Sequence, residues 1–233
     1  MISFKVESSK FEVAFERLIM KTLNIRTATH GRVLVQDPAG AFSGRMIVGF
    51  HGYAQSADTM IDDLRRLPGA AAWRLVSVQA LHRFYARSEA VVASWMTRQD
   101  RDDAIADNIA YVDQAVAAAA GDDARSVVFL GFSQGASMAA RAAVRGARPA
   151  AGLVILGGDI PPDVRDVTTN FPPVLIGCGT RDEWYAGDRV NADRKFLESR
   201  NIPHEIVSFD GGHEFTDEFR AAAGAWLDRI FVR

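Results

Sequence analysis

Residues 127–143 read V-V-F-L-G-F-S-Q-G-A-S-M-A-A-R-A-A, and this stretch gives the strongest indication of the fold. An apolar run, 127–130, enters the pentapeptide Gly-Phe-Ser-Gln-Gly at 131–135, and a run of small residues leaves it. A G-x-S-x-G sequence between a strand and a helix is typical of a strained turn that exposes the serine hydroxyl above a sheet. The glycines on either side of the serine leave room for the turn. The stretch therefore predicts that Ser133 is a catalytic nucleophile.

A serine nucleophile needs a histidine base, which follows the serine in the chain in proteins that carry this turn. Of the five histidines, only His204 and His213 come after Ser133. His213 lies in a glycine-rich loop directly after the alternating, strand-like run 205–209, where such a base belongs. His204 precedes that run and is expected at the opposite edge of the sheet. The spacing therefore predicts His213 as the general base.

The third member of such a site is a carboxylate that holds the imidazole in the right tautomer. The apolar run 173–179 reads as a buried strand, and Asp182 follows it at once. We therefore predict that Asp182 pairs with His213. Other carboxylates compete for this role, and Asp159 is the main alternative because the acid sometimes follows the preceding strand. The competitors are Glu183, Asp159 and Asp188.

A backbone N–H must also point at the oxygen that becomes negative during acyl transfer. The apolar strand 45–50 runs into H51-G-Y-A-Q-S, and a His-Gly turn at this place supplies such a donor. Tyr53 is the predicted first donor, and Gln134, the residue after the nucleophile, is the predicted second. His51 itself is expected to brace this loop by hydrogen bonding and not to transfer protons.

The segments H51-G-Y-A-Q-S, G131-F-S-Q-G, G179-T-R-D and G212-H-E together resemble the phospholipase/carboxylesterase family of α/β-hydrolases, which includes bacterial carboxylesterases and acyl-protein thioesterases. The resemblance covers roughly residues 45 to 230. It implies a serine hydrolase that cleaves carboxylic esters through an acyl-enzyme. The family usually has glycine where Ala54 and Ala136 stand, and an acidic residue where Thr97 stands. It also has a more hydrophobic loop where 157–161 stands. These differences leave the chemistry intact and concern the acyl preference.

Composition limits the class of protein. A chain of 233 residues suits one domain, so we predict a single α/β-hydrolase domain over 1–233. The formal charge of −2 offers no electrostatic case for nucleic acid or an anionic membrane. No metal-ligand or nucleotide motif is present, so no cofactor or metal is predicted.

Location is predicted from the cysteine count and the apolar runs. The single cysteine, Cys178, excludes an internal disulfide and fits a reducing compartment. No apolar run is long enough for a membrane helix, and residues 1–7 carry charges where a signal peptide would be apolar. We therefore predict a cytoplasmic protein without a membrane span.

Strand-like and helix-like segments alternate from residue 45 onward, which predicts a mostly parallel sheet with helices on both faces. Residues 1–36 are expected to hold N-terminal strands, including 33–36, while 10–23 fits either helix or strand. Gly121 is predicted to end a helix that starts near 101, and Thr216 to begin the last one. The predicted strands are 45–50, 74–78, 126–131, 152–156, 173–177 and 205–209.

The acyl preference is predicted to be short to medium, because the sequence has no long apolar lid. The stretch 79–99 is the only sizeable insertion-like segment between a strand and a helix. Within it, Trp95, Phe84 and Tyr85 are predicted to line a compact acyl pocket. For Trp95, packing in the core is an equally good interpretation.

We therefore predict a serine esterase that acts on a small-molecule ester or thioester. Lysophospholipase and acyl-protein thioesterase activity are the alternatives on the same fold, and a peptidase of this fold is a further one. A catalytically inactive binding module is an alternative of another class, against which the complete Ser, Asp and His set argues. The oligomeric state stays open.

Overall fold

A seven-stranded sheet forms the centre of the molecule, in the order β1-β3-β2-β6-β7-β8-β9. The computed structural model describes residues 21–167 and 171–231. All neighbouring strands of this sheet are parallel except β1, which pairs antiparallel with β3. The strands of the described residues are β1 (Val33–Gln36), β2 (Arg45–Phe50), β3 (Arg74–Val78), β4 (His82–Tyr85), β5 (Val91–Ser94), β6 (Ser126–Phe132), β7 (Gly152–Leu156), β8 (Val174–Gly179) and β9 (His204–Phe209).

Helices cover both faces of the sheet, and successive strand residues supply the two faces in turn. In β2, Met46 and Val48 join one core cluster while Ile47 joins the other, as the two-residue period of a strand requires. Residues of α2, α3 and α5 fill the first cluster, and residues of α1 and α6 fill the second. The helices are α1 (Ala57–Arg65), α2 (Arg101–Ala120), α3 (Gln134–Arg145), α4 (Pro162–Arg165), α5 (Asp188–Ser199) and α6 (Asp217–Phe231), with a 3-10 turn at Ala70–Ala72.

This architecture confirms the predicted α/β-hydrolase fold. All six predicted strands from residue 45 onward are present, and so is the strand at 33–36. Gly121 ends α2, with its N–H donating to the carbonyl of Ala117, and the Thr216 hydroxyl accepts from the N–H of Phe219 at the start of α6. Of the ambiguous segment 10–23, residues 10–20 lie outside the described residues, and residues 21–23 have no regular secondary structure.

The sequence pattern did not predict helix α1, the 3-10 turn, the β4–β5 hairpin or the short helix α4. Helix α1 begins after Ser56, whose hydroxyl accepts from the N–H of Thr59, and it buries Met60, Ile61 and Leu64 at helical spacing. The stretch 79–99 holds an antiparallel hairpin of β4 and β5. This hairpin is tied to the loop after β2, because the N–H of Ala54 donates to the carbonyl of Ala93.

The described helices are all too short or too polar to cross a lipid bilayer.

Candidate active site

The strand β6 ends in a sharp turn that presents Ser133. Ser133 has φ 54° and ψ −120°, a conformation that L-residues rarely adopt, and its N–H donates to the carbonyl of Leu156 at 2.9 Å. The flanking glycines are required by close backbone approach. A Cβ on Gly135 would lie 2.1 Å from the carbonyl oxygen of Phe50, and one on Gly131 would lie 2.2 Å from that of Gly135. The turn therefore has no room for a side chain at position 131 or at position 135.

Ser133 lies in a chain of hydrogen bonds with His213 and Asp182. His213 Nδ1 donates to Asp182 Oδ2 at 2.8 Å, and the Ser133 hydroxyl donates to His213 Nε2 at 2.7 Å. An ionised carboxylate can only accept, so it holds the proton of a neutral imidazole on Nδ1. Nε2 is then free to accept the proton of the serine.

Asp182 is buried, and both of its oxygens have partners. Its side chain is 1% exposed, and Oδ1 accepts from the N–H groups of Trp184 and Tyr185 at 2.8 and 2.9 Å. Among the described residues, the carboxylate that pairs with His213 is thus Asp182 and not Asp159, Glu183 or Asp188. Asp182 lies in the loop directly after β8.

The imidazole packs against the loop after β7 and against Phe132, the residue before Ser133. A Cβ on Gly157 would lie 3.1 Å from the His213 ring, and one on Gly158 would lie 2.5 Å from the Ser133 carbonyl and from the Ala136 side chain. The Phe132 ring centroid lies 4.9 Å from that of His213. The sequence pattern did not predict that residues 157–158 pack against Ser133 and His213. The Gly-Gly pair directly after a buried strand does indicate a close approach of other atoms to the backbone there.

Of the two predicted oxyanion donors, Gln134 follows Ser133 directly, and Tyr53 follows Gly52, on which a Cβ would lie 3.3 Å from the Cβ of Ser133. Gln134 begins α3, where backbone N–H groups lack helical partners and the helix dipole favours negative charge. The N–H of Tyr53 donates to no other described residue. Ala54, the next residue, has φ 57°. That left-handed conformation favours glycine, which explains why the resembled family has glycine there.

The side chain of Gln134 braces the end of β5. Its Oε1 accepts from the N–H of Trp95 at 2.8 Å, and its Nε2 donates to the carbonyl of Met96 at 3.1 Å. The glutamine of the pentapeptide therefore joins the nucleophile turn to the 94–96 segment.

His51 is a bracing residue. It is fully buried, its Nδ1–H donates to the carbonyl of Gly52 at 2.7 Å, and its Nε2 accepts from the N–H of Ala80 at 3.1 Å. Burial lowers the pKa of this imidazole, because the charged form loses hydration. Through these two hydrogen bonds His51 fixes the loop that carries Tyr53.

The structure separates the three residues predicted to bind substrate. Trp95 lies in the core at 0% exposure, where its indole N–H donates to the carbonyl of His51 and its ring packs against Phe50. Of the two roles left open by the sequence, the core packing is the one observed. Phe84 and Tyr85 lie on the β4–β5 hairpin, where Phe84 contacts the ring of Tyr53 and Tyr85 is exposed.

Because Trp95 is fully enclosed, Trp95→Ala should destabilise the protein by about 3–5 kcal/mol, as large-to-small core changes do. The measurement is the free energy of unfolding in urea. As a control, Tyr85→Ala on the exposed hairpin should change it by less than about 0.5 kcal/mol. A Trp95→Ala protein of unchanged stability would contradict the core role.

A small cavity opens beside Ser133 and His213. Its volume is about 210 Å³, below the ~300–1,000 Å³ of pockets for drug-sized ligands. Most of its lining residues were not predicted from the sequence, because they belong to loops that are distant from one another in the chain. The lining residues are Ser133, Gln134, Ser137, Gly157, Gly158, Asp159, Trp184, Tyr185, Arg189 and His213.

A larger cavity, of about 750 Å³, lies between the segment 26–33 and α2, and Ser133 does not line it. The smaller cavity is the one that borders Ser133, the predicted nucleophile. Within the described residues, no group of three or more His, Cys, Asp or Glu side chains is placed to hold a metal ion.

Several solved structures share this fold. The esterase PE8 has a TM-score of 0.72 at 19% identity, over 87% of this chain and 100% of that one. A carboxylesterase from Mesorhizobium loti has a TM-score of 0.67 at 22% identity, over 85% and 93% of the two chains. The acyl-protein thioesterase 2 of Zea mays has a TM-score of 0.64 at 16% identity, over 86% and 99%. At these identities the likeness shows the fold alone.

The family of the chain follows from the comparison with protein-family models. No curated protein matches the chain. The model of the dienelactone hydrolase family matches residues 80–227, a segment that contains Ser133, Asp182 and His213. Together with the fold, this match confirms the resemblance to carboxylesterase-type α/β-hydrolases. The chain belongs to the dienelactone hydrolase family.

Proposed function

We propose that the protein is a serine esterase that uses Ser133, His213 and Asp182 as a catalytic triad. The observation that carries the proposal is the chain of two hydrogen bonds from Ser133 through His213 to the buried Asp182. The same arrangement recurs on unrelated folds in hydrolases whose serine attacks an acyl carbon. The family match supports ester hydrolysis in general.

Catalysis begins when Ser133 Oγ attacks the acyl carbon while His213 Nε2 takes the hydroxyl proton. Negative charge then develops on the former carbonyl oxygen, where the N–H groups of Tyr53 and Gln134 stabilise it. The imidazolium, paired with Asp182, returns the proton to the leaving alcohol, and an acyl-enzyme remains. Water then attacks the acyl-enzyme while His213 Nε2 takes its proton. The imidazolium returns that proton to Ser133 Oγ, and the carboxylic acid is released.

The proposed substrates are esters of short to medium acyl chains, with cleavage of thioesters or lysophospholipids as the alternative. The small volume of the cavity beside Ser133, about 210 Å³, supports short acyl groups, because a long chain would exceed it. The alternative is kept because an acyl-protein thioesterase has the same fold. A catalytically inactive binding module is less favoured, because it would have no need of the linked Ser133–His213–Asp182 geometry. A location in the cytoplasm stays a prediction.

The experiment is a series of p-nitrophenyl esters from acetate to palmitate. We expect hydrolysis of the short esters and a graded fall of kcat/KM toward palmitate, because long chains exceed the cavity. A parallel series of acyl thioesters measures the alternative. A steady rise of kcat/KM from butyrate to palmitate would contradict the short-chain proposal, and no hydrolysis of any ester would support the inactive module.

A further inference from the structure

Asp193 is a buried carboxylate on α5 that the proposed mechanism does not use. Its side chain is fully buried, yet it accepts hydrogen bonds from three groups. The Tyr185 hydroxyl donates to Oδ2 at 2.7 Å, Arg165 Nη2 donates to Oδ1 at 2.5 Å, and the N–H of Ile160 lies 3.3 Å from both oxygens. Arg165 also donates to the carbonyl of Ile160 at 3.0 Å. The network therefore joins α5 to two separate loops.

Both loops touch the proposed triad. Tyr185 belongs to the loop after β8, and its N–H donates to Asp182 Oδ1 at 2.9 Å. Ile160 belongs to the loop after β7, three residues beyond Gly157, which lies against the imidazole of His213. Asp193 thus holds the loop that orients the catalytic acid and the loop that packs against the base.

Stability alone does not explain a carboxylate at this place. A buried ion pair costs desolvation and is often no more stable than apolar residues of the same volume. Burial also raises the pKa of Asp193 to about 6, because the ionised form loses hydration. What the carboxylate provides, and an apolar side chain would not, is an acceptor for a hydroxyl, a guanidinium and a backbone N–H at once.

We propose that Asp193 is a positioning residue, which fixes Asp182 and His213 through Tyr185 and the loop at 157–160. The inference rests on the proposed triad. Asp182 keeps the imidazole tautomer only while its carboxylate has one orientation, and the N–H groups of Trp184 and Tyr185 set that orientation. Tyr185 in turn is held at its far end by Asp193, since its side chain is 1% exposed and its hydroxyl donates to Oδ2.

The test compares Asp193→Asn and Tyr185→Phe with the wild type on p-nitrophenyl acetate. An asparagine side chain has one accepting oxygen, and its amide nitrogen can only donate. It therefore cannot accept from all three partners, and we expect the loops to shift. Misplacement of reacting groups by about 1 Å costs on the order of 10²-fold in rate. We expect Asp193→Asn to lower kcat by about 10-fold to 100-fold with KM changed by less than about 3-fold, the pattern of an interaction lost in the transition state. Tyr185→Phe should lower kcat in the same direction by a smaller factor.

Asp113→Asn is the matched control. Its carboxylate also accepts a backbone N–H, from Ala147 at 2.8 Å, but it lies beyond the far end of α3 from Ser133. Its kcat should equal that of the wild type. A second measurement needs no substrate: the NMR resonance of the His213 Nδ1 proton reports its hydrogen bond to Asp182. This signal should weaken through faster exchange in Asp193→Asn and persist in Asp113→Asn.

Two outcomes separate the inference from the function on which it rests. If the wild type hydrolyses the ester and Ser133→Ala does not, the triad stands. The positioning role is then overturned if folded Asp193→Asn and Tyr185→Phe proteins both keep kcat and the His213 resonance of the wild type. If Asp193→Asn does not fold, Tyr185→Phe decides by the same two measurements. If the wild type itself is inactive, the proposed function fails, and the His213 resonance alone decides the positioning role.

Discussion

Replacement of Ser133 by alanine is expected to lower kcat by on the order of 10⁴–10⁶, as loss of the nucleophile does in other triads. The fold should persist, because the substitution removes one oxygen atom at a partly exposed turn. The N–H of residue 133 still donates to the carbonyl of Leu156. The measurements are kcat on p-nitrophenyl acetate and the thermal unfolding midpoint.

A fluorophosphonate probe should label Ser133 in the wild type, because its hydroxyl is the one that hydrogen-bonds His213 Nε2 among the described residues. Ser126→Ala is the control, since Ser126 lies at the opposite end of the same strand. It should keep both labelling and activity. A folded Ser133→Ala protein with wild-type activity would exclude Ser133 as the nucleophile.

Asp182→Asn is expected to lower kcat by on the order of 10⁴, with the fold retained. The asparagine amide offers N–H to His213 Nδ1 where the carboxylate offered an acceptor. The imidazole then keeps its proton on Nε2, and Nε2 no longer accepts the proton of Ser133. The check is kcat for Asp182→Asn beside its thermal unfolding.

Asp159→Asn is the comparison that decides between the two candidate acids. The Asp159 side chain lines the cavity, but the ion pair of His213 is with Asp182. Asp159→Asn should therefore reduce kcat by less than about 10-fold. A severe loss in Asp159→Asn with a mild one in Asp182→Asn would assign the acid to the loop after β7.

Much of the site follows from local sequence, because its parts are set by local physics. An apolar run, two glycines and a run of small residues suffice to make a strand, a tight turn and a helix around Ser133. The carboxyl ends of parallel strands lie at one edge of the sheet. Candidates that follow strands, such as Asp182 and His213, are thereby expected at the same edge as the nucleophile.

The tertiary structure decided questions that depend on distances between remote parts of the chain. Four carboxylates satisfied the sequence pattern, and the structure pairs only Asp182 with His213 among the described residues. Trp95 fitted a pocket or a core equally well, because its large apolar ring and single N–H suit both. Its enclosure depends on Phe50 and His51, more than 40 residues away in the chain.

Asp193 is the clearest example of a residue whose role could not be predicted from its neighbours in the sequence. In the sequence it stands on a polar helix, where an aspartate is usually solvated and carries no signal. Its partners Ile160, Arg165 and Tyr185 come from three other segments. Sequence alone determined the fold, the nucleophile turn and the order of the candidate residues, since these depend on neighbours along the chain. Burial and hydrogen bonding between loops depend on how the whole chain packs, and only the folded structure shows them.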